Sequence, residues 1–455
     1  DQSVPIEEDV LPAGVPDYYP MGGFSYGTEY TREQINEALA SDDPLSLVPT
    51  QDTIGHGTFL AGLSAGSSIP QEDFTGAAPE AELAVVKLKP AKKYLRDFYL
   101  IPSDAPAFQE NDIMMGIKYL RMMADRLKKP LVILLAMGSN SGSHIGTSPL
   151  SQVTQNYSGF FGIITVIACG NETGAAHHFY ASIPAGTEYE DVEIRVGKEE
   201  AERGFVLELW AADADTYTVG FISPSGERIS RIPIIANNET SIPFLLDATT
   251  ITVNYQLIEA ESGSQLIFMR FQTPAAGIWT VRVYNTQRFK GTFHMWLPVQ
   301  GMISEETVFL RPDPYSTITV PGNSRLPITV GAYDTSTGGI YIHSSRGFTP
   351  NQIVKPELAA PGVNILGPSV GRKPGSDTPM TTRTGTSAAA AITAGAAANL
   401  LGWGIVEGNY PTMSEASVKS YLIRGAQRNP ALTYPNREFG YGTLDLFQTF
   451  LRLRE

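Results

Sequence analysis

Three polar residues sit beside glycines in settings that could build an acyl-transfer site. They are His56 in Gly55-His56-Gly57-Thr58, Asn171 after Gly170, and Ser387 in Gly385-Thr386-Ser387. A serine hydroxyl is not ionised at neutral pH, so as a nucleophile it needs a base, and histidine is the commonest one. Attack on a carbonyl creates an oxyanion. A side-chain amide such as that of Asn171 could donate to it, an effect of about 2.7–4 kcal/mol. Each residue alone carries less. A lone histidine between glycines also reads as a capping or surface residue, a serine before a helix as its N-cap, and an asparagine after glycine as a turn residue. The three together point to nucleophilic catalysis.

Such residues must be aimed by buried elements. Ser387 is followed by Ala388-Ala389-Ala390-Ala391 and then Gly395. That pattern predicts a helix from Thr386 to Leu401 apolar enough to be buried, with its positive end near the developing charge. A second helix is expected to open near Gly57, because Thr58 to Ala65 are mostly small or apolar. Leu83 to Leu88, Leu131 to Ala136, Gly162 to Ala168 and Leu326 to Tyr333 read as strands, and the continuous apolar runs among them mark a parallel sheet covered on both faces. Thr31-Arg32-Glu33-Gln34 is a capping box. Asp112 can cap a helix carrying Ile113, Ile117, Leu120 and Ala124, and Ser414 to Ile423 is a further helix. Near residue 190 the texture changes to short, alternating strands separated by turns, from Val192 to Leu297, which predicts an inserted β-sandwich.

Composition sets outer bounds. The chain has 455 residues, 42% hydrophobic and 18% charged, and suits more than one folding unit. A net charge of -14 argues against nucleic acid or an anionic membrane as partner. No apolar run reaches the roughly 18 residues that span a bilayer. The single cysteine, Cys169, excludes an intrachain disulfide framework and reads as a small buried hydrophobe. His177 and His178 read as loop residues, without the companions a metal site needs. No metal or other cofactor is expected.

Together the three segments resemble the subtilisin-like serine proteases, which carry His-Gly-Thr, Gly-Asn and Gly-Thr-Ser-Met-Ala-Ala-Pro in this order. Pro327-Ile328-Thr329-Val330-Gly331-Ala332, Leu358-Ala359-Ala360-Pro361-Gly362-Val363 and Gly440-Tyr441-Gly442 fit the same family. Ala388 and Ala391 replace its usual Met and Pro, away from the chemistry. Tyr26 to Asn36 and Gly55 to Gly62 look most like the clostridial germination proteases, the Csp group, which also carry a jelly-roll insert. The resemblance implies His56 as general base, Ser387 as nucleophile and Asn171 as oxyanion donor. It implies Ala136-Met137-Gly138 as the strand that pairs with a peptide substrate. The expected fold is α/β: a subtilisin-like parallel sheet with helices on both faces, in residues 1–190 and 301–455, interrupted by a β-sandwich or jelly roll in 191–300. The resemblance further implies a serine endopeptidase, extracellular or spore-associated and bacterial, acting on a protein substrate. Some Csp members are pseudoproteases, but retention of both His56 and Ser387 argues against that here.

One family feature has no counterpart. The triad aspartate belongs at the end of a buried strand, in an Asp-Ser/Thr-Gly turn before the histidine. Asp1, Asp9, Asp17 and Asp52 all lack that setting, and no apolar strand precedes His56. The expectation is a processed protein in which Asp1 was once internal. The strand bearing the catalytic aspartate would lie in an upstream fragment that stays bound.

Overall fold

The computed structural model describes residues 1–3, 24, 26–212, 214–235, 238–371 and 379–453; Asp9 and Asp17 lie outside them. Strands β1 (Leu131–Leu135) and β2 (Ile163–Ala168) pair in parallel, with Leu131 opposite Ile163. All six residues of β2 are buried, as its unbroken apolar run predicts. Its side chains alternate between two cores. Ile163 and Ile167 face the helices Glu110–Leu127 and Pro149–Ser158, through Ile117 and Leu150. Ile164, Val166 and Ala168 face the helix Thr386–Leu401, through residues such as Ala389, Ala390 and Ala397.

After β2 the chain enters a β-rich stretch. Its strands are β3 (His178–Ser182), β4 (Tyr189–Val196), β5 (Phe205–Ala211), β6 (Thr216–Ile222), β7 (Arg228–Ile229), β8 (Glu239–Phe244), β9 (Thr249–Gln256), β10 (Leu266–Gln272), β11 (Gly277–Gln287), β12 (Thr292–Trp296) and β13 (Val308–Phe309). They form two antiparallel sheets, in the orders β3-β12-β5-β10-β9-β8 and β13-β4-β11-β6-β7. One core joins them, built on fully buried Trp279, Tyr217, Phe205, Phe271 and Phe293. The Trp279 indole N–H donates to the Ala275 carbonyl at 2.9 Å, so even this large ring leaves no polar atom unpaired. The chain then returns to the first sheet as β14 (Ile328–Tyr333) and β15 (Leu358–Pro361), giving the order β1-β2-β14-β15, all parallel. A hairpin, β16 (Ile365–Pro368) and β17 (Met380–Arg383), leads into the helix that starts at Thr386.

The segment Thr386–Val406 is long and apolar enough to cross a membrane by length and composition. Here it is a core helix, and small residues let it lie close to the helix His56–Ala65 and the chain just after it. A Cβ on Gly395 would come 2.5 Å from Ala77 Cβ and 2.7 Å from the Ser64 carbonyl oxygen.

Three expectations need correction. Leu83 to Leu88 is extended but pairs with no strand among the described residues, and it is not buried: Leu83 is 54% and Val85 67% exposed. These side chains line a void of about 4980 Å³, which Leu131, Leu134 and Met115 also line. Asp112 does not cap its helix, whose N-cap is Gln109; instead its carboxylate accepts from the Tyr26 hydroxyl at 2.6 Å and faces Lys89 at 3.2 Å. His177 and His178 are buried, because β3 joins a sheet edge directly after the first of them.

Candidate active site

The helix His56–Ala65 opens at Gly55, whose φ of +79° suits glycine. A Cβ there would stand 2.9 Å from Val370 Cγ2 and 3.1 Å from an Arg383 guanidinium nitrogen. Asp52 holds this end of the helix. One carboxylate oxygen accepts from the amides of Ile54 and Gly55, the other from the amide and hydroxyl of Thr58 at 2.9 and 2.8 Å. Burial pushes the Asp52 carboxyl up, but the Gly55, Thr58 and Ile54 donors outweigh it and hold the pKa at about 2. The carboxylate is thus committed to the helix start. No described carboxylate hydrogen-bonds to the His56 ring. Burial lowers the pKa of His56 and the nearby Arg383 charge lowers it further, while Asp52 pulls the other way. At neutral pH the imidazole is therefore neutral and able to accept a proton.

The histidine helix packs on the serine helix through Phe59, Leu63, Ala388 and Ala391, and the Ser64 hydroxyl donates to the Ala391 carbonyl at 3.0 Å. Arg383, at the end of β17, donates to the Ile54 carbonyl at 3.3 Å, which ties the approach to His56 to the approach to Ser387. Ser387 is the second residue of its helix. Its hydroxyl donates to the Ala136 carbonyl at 3.4 Å, a long contact. Asn171 Oδ1 accepts the Thr386 amide at 3.0 Å. Gly385 has φ +154°, a conformation that residues with a side chain rarely adopt, and it lies beside the Asn171 side chain. Asn171, Ser387 and Ala136 are thus brought together. His56 and Ala136-Met137-Gly138 line the same void. Cys169 is fully buried and its thiol is pushed up to about 12 by burial, so it is no nucleophile at neutral pH.

Sequence reasoning missed what braces this site. Glu172, next to Asn171, accepts from Asn140 Nδ2 at 3.2 Å and from the Gln300 amide at 3.0 Å, and it pairs with His177 at 2.8 Å. His144 stacks face to face on Trp296 of β12, with ring centroids 3.9 Å apart. Its Nδ1 lies 3.0 Å from the Ile318 carbonyl and its Nε2 2.9 Å from the Asn140 carbonyl; a neutral ring donates to one of them at a time. His178 and His294 continue the stack, 2.9 Å apart through Nε2 and Nδ1. The one available signal was the alternation of His294 and Trp296 in a strand beside a His-His pair.

A family model, Peptidase_S8, described as the subtilase family, matches residues 311–442, a span that includes Ser387. No curated protein matches the sequence. Among solved structures, the CspB protease of Clostridium perfringens superposes with a TM-score of 0.83 at 30% identity, covering 94% of this chain and 86% of that one. Sphericase aligns at 15% identity with a TM-score of 0.42, over 87% of this chain and 78% of its own. The prenylagaramide maturation protease PagA aligns at 28% identity with a TM-score of 0.26, over 30% of this chain and 46% of its own. The CspB likeness spans both the α/β elements and the β-rich stretch. The chain belongs to the subtilase family of serine endopeptidases and is related to the Csp proteases.

Proposed function

We propose that this endopeptidase cleaves protein substrates through an acyl-enzyme on Ser387. His56 takes the hydroxyl proton as Ser387 attacks the scissile carbonyl, and returns it to the leaving amine. Asn171 Nδ2 and the Ser387 amide hold the oxyanion. The substrate pairs in extended form with Ala136-Met137-Gly138. The observation that carries this reading is the Thr386 amide donating to Asn171 Oδ1 at 3.0 Å, because it fixes the amide with Nδ2 as its free donor end beside Ser387.

The third triad member, in this reading, is an aspartate on an upstream strand that stays bound after cleavage of the chain. Support comes from the void, the exposed Leu83 and Val85, and the open edge of β1. A strand seated there would gain a neighbour on either side and bring a carboxylate toward His56. Without such a carboxylate, turnover should be lower by about 3 × 10⁴, the factor measured for the aspartate in subtilisin. The second reading is a catalytically silent relative acting in signalling, and the commitment of both Asp52 oxygens to the helix start favours it. Fluorophosphonate treatment of the full-length protein, with the adduct mapped by mass spectrometry, separates the two. Labelling of Ser387 supports the peptidase. No labelling, with the acidic strand verified in place, supports the silent form.

We further read the β-rich stretch as a jelly roll inserted in the catalytic domain. The sheet orders β3-β12-β5-β10 and β4-β11-β6-β7 support this, being the order of two interlocked Greek keys. On that reading β3 and β13 widen the insert beyond 191–300, so that the catalytic domain flanks it from both sides.

A further inference from the structure

The two sheets of the β-rich stretch use their outer faces differently. On the sheet β3-β12-β5-β10-β9-β8 that face meets rings from outside the stretch: His144 stacks on Trp296 and Phe98 on Phe268, with centroids 3.9 and 5.6 Å apart. On the sheet β13-β4-β11-β6-β7 no ring from outside the stretch does so among the described residues. Trp279, Val281 and Val283 of β11 enter the core, so Arg282 and Tyr284 point outward. Opposite Arg282 in the ladder stands Gly220 of β6, and a Cβ there would lie 3.3 Å from Tyr284 Cε2. Beside the bare glycine a cleft of about 170 Å³ opens, lined by Ile222, Arg228, Ser230, Arg282 and Tyr284.

The charges around this cleft are only partly neutralised. Arg282 is paired, its Nε and Nη2 donating to the two Asp191 carboxylate oxygens at 2.7 Å each. Arg231 is held by neutral groups instead. Its Nε and Nη2 donate to the hydroxyls of Thr218 and Thr286 at 2.7 Å each, and its guanidinium carbon lies 5.6 Å from the centre of the Tyr284 ring. Arg228 is exposed and has no hydrogen-bond or carboxylate partner among the described residues. Glu193, the other outward acid of β4, lies three strands away from it. Two positive charges thus stand without a counter-anion beside one tyrosine, on a protein of net charge -14.

We propose that this face binds an acidic glycan, with one carboxylate-bearing sugar ring seated in the cleft against Tyr284 and its carboxylate on Arg228. A guanidinium matches a planar carboxylate with two parallel N–H bonds. A tyrosine ring offers the apolar face that a sugar ring packs on, and Ser230 adds a hydroxyl. The cleft holds a single ring; a drug-sized ligand needs about 300–1,000 Å³. It lies on the face of a sheet and not along a strand edge, which suits a flat ring better than an added peptide strand. Further acidic units of the same glycan chain would reach Arg231. The site is independent of the reading of Ser387.

The test is isothermal titration of the full-length protein with trigalacturonic acid, with galactotriose as its neutral counterpart and triglutamate as a peptide that also carries three side-chain carboxylates. The acidic sugar should bind at least about tenfold more tightly than the neutral one, and added salt should shrink that preference. Arg228→Gln should weaken binding of the acidic sugar by about tenfold or more, the worth of one hydrogen bond to a charged group. The side chain is exposed, so the melting temperature of that variant should not move. Tyr284→Ala should weaken both sugars, and Tyr284→Phe, which keeps the ring, should restore them. No binding of the acidic sugar at millimolar concentration overturns the proposal, as does equal affinity for the acidic and neutral sugars. So does an unmoved affinity in Arg228→Gln. Triglutamate binding as tightly as the acidic sugar overturns the glycan assignment in favour of an acidic peptide.

Discussion

The two ends of the active site are built to different standards. At the serine end every wall is occupied: Ala388 to Ala391 are buried, Asn171 is pinned by the Thr386 amide, and Thr319 is wedged between two glycines. At the histidine end the helix start is well capped, yet the ground in front of it is hollow, with Leu83 and Val85 facing the void. The difference teaches that oxyanion geometry and base orientation are separable properties of this fold. The first depends on elements within the chain. The second has no carboxylate partner for the His56 ring among the described residues.

Removing the serine should have the largest effect on turnover. Ser387→Ala should lower kcat by about 10⁶-fold, as knocking out the nucleophile of subtilisin does, and abolish fluorophosphonate labelling. Asn171→Ala should cost about 10²–10³ in kcat with little change in KM, measured with the peptides that the wild type cleaves. A comparable loss in KM alone would mean that the amide serves binding and not the transition state.

Stability sharpens the same contrast. Ile164, fully buried under the serine helix, should cost about 2–5 kcal/mol as Ile164→Ala in denaturant unfolding. Val85→Ser, on the open side, should stay within about 0.5 kcal/mol in this chain. A large effect of Val85→Ser would mean that the void is closed in solution. The acid limb of kcat/KM is a further probe. Burial sets the His56 pKa below the ordinary 6.5. A carboxylate delivered by an added strand should stabilise the protonated ring and move the limb to higher pH.

The imidazole stack gives a stability signature of its own. Burial lowers the pKa of His144 to about 4; burial and then the His144 charge lower that of His294 to about 3; His178 is depressed too, by burial and then by His294. The unfolded rings titrate near 6.5, so the unfolded chain takes up protons first as pH falls. Stability is therefore whole above about pH 6.5 and is lost progressively toward pH 4 and below. Melting temperatures recorded across that range should fall, and His294→Gln should flatten the fall.

Much of the serine end was legible in the residues. Ala-rich sequence after Gly385 allowed only a buried helix, and the run in β2 allowed only an interior strand. The histidine end was legible in type but not in completeness, because Leu83 to Leu88 carries the pattern of a buried strand whatever lies next to it. Thr319 left no local trace: the two glycines it packs between are distant in sequence. The same holds for Lys355, which is fully buried and donates to the Pro327 carbonyl at 2.7 Å. A buried ionisable group is readable only through partners that the fold brings from elsewhere.

Glu172 has a consequence for how such a protein can be altered. One carboxyl group meets His177 just before β3, the Gln300 amide just after β12, and Asn140 Nδ2. It does so one residue after the amide that would meet the oxyanion. The β-rich stretch is therefore no cassette to be excised and the ends rejoined. Any shorter graft at this junction has to supply new partners for a buried carboxyl group, or carry the cost of leaving it bare a single peptide bond from Asn171.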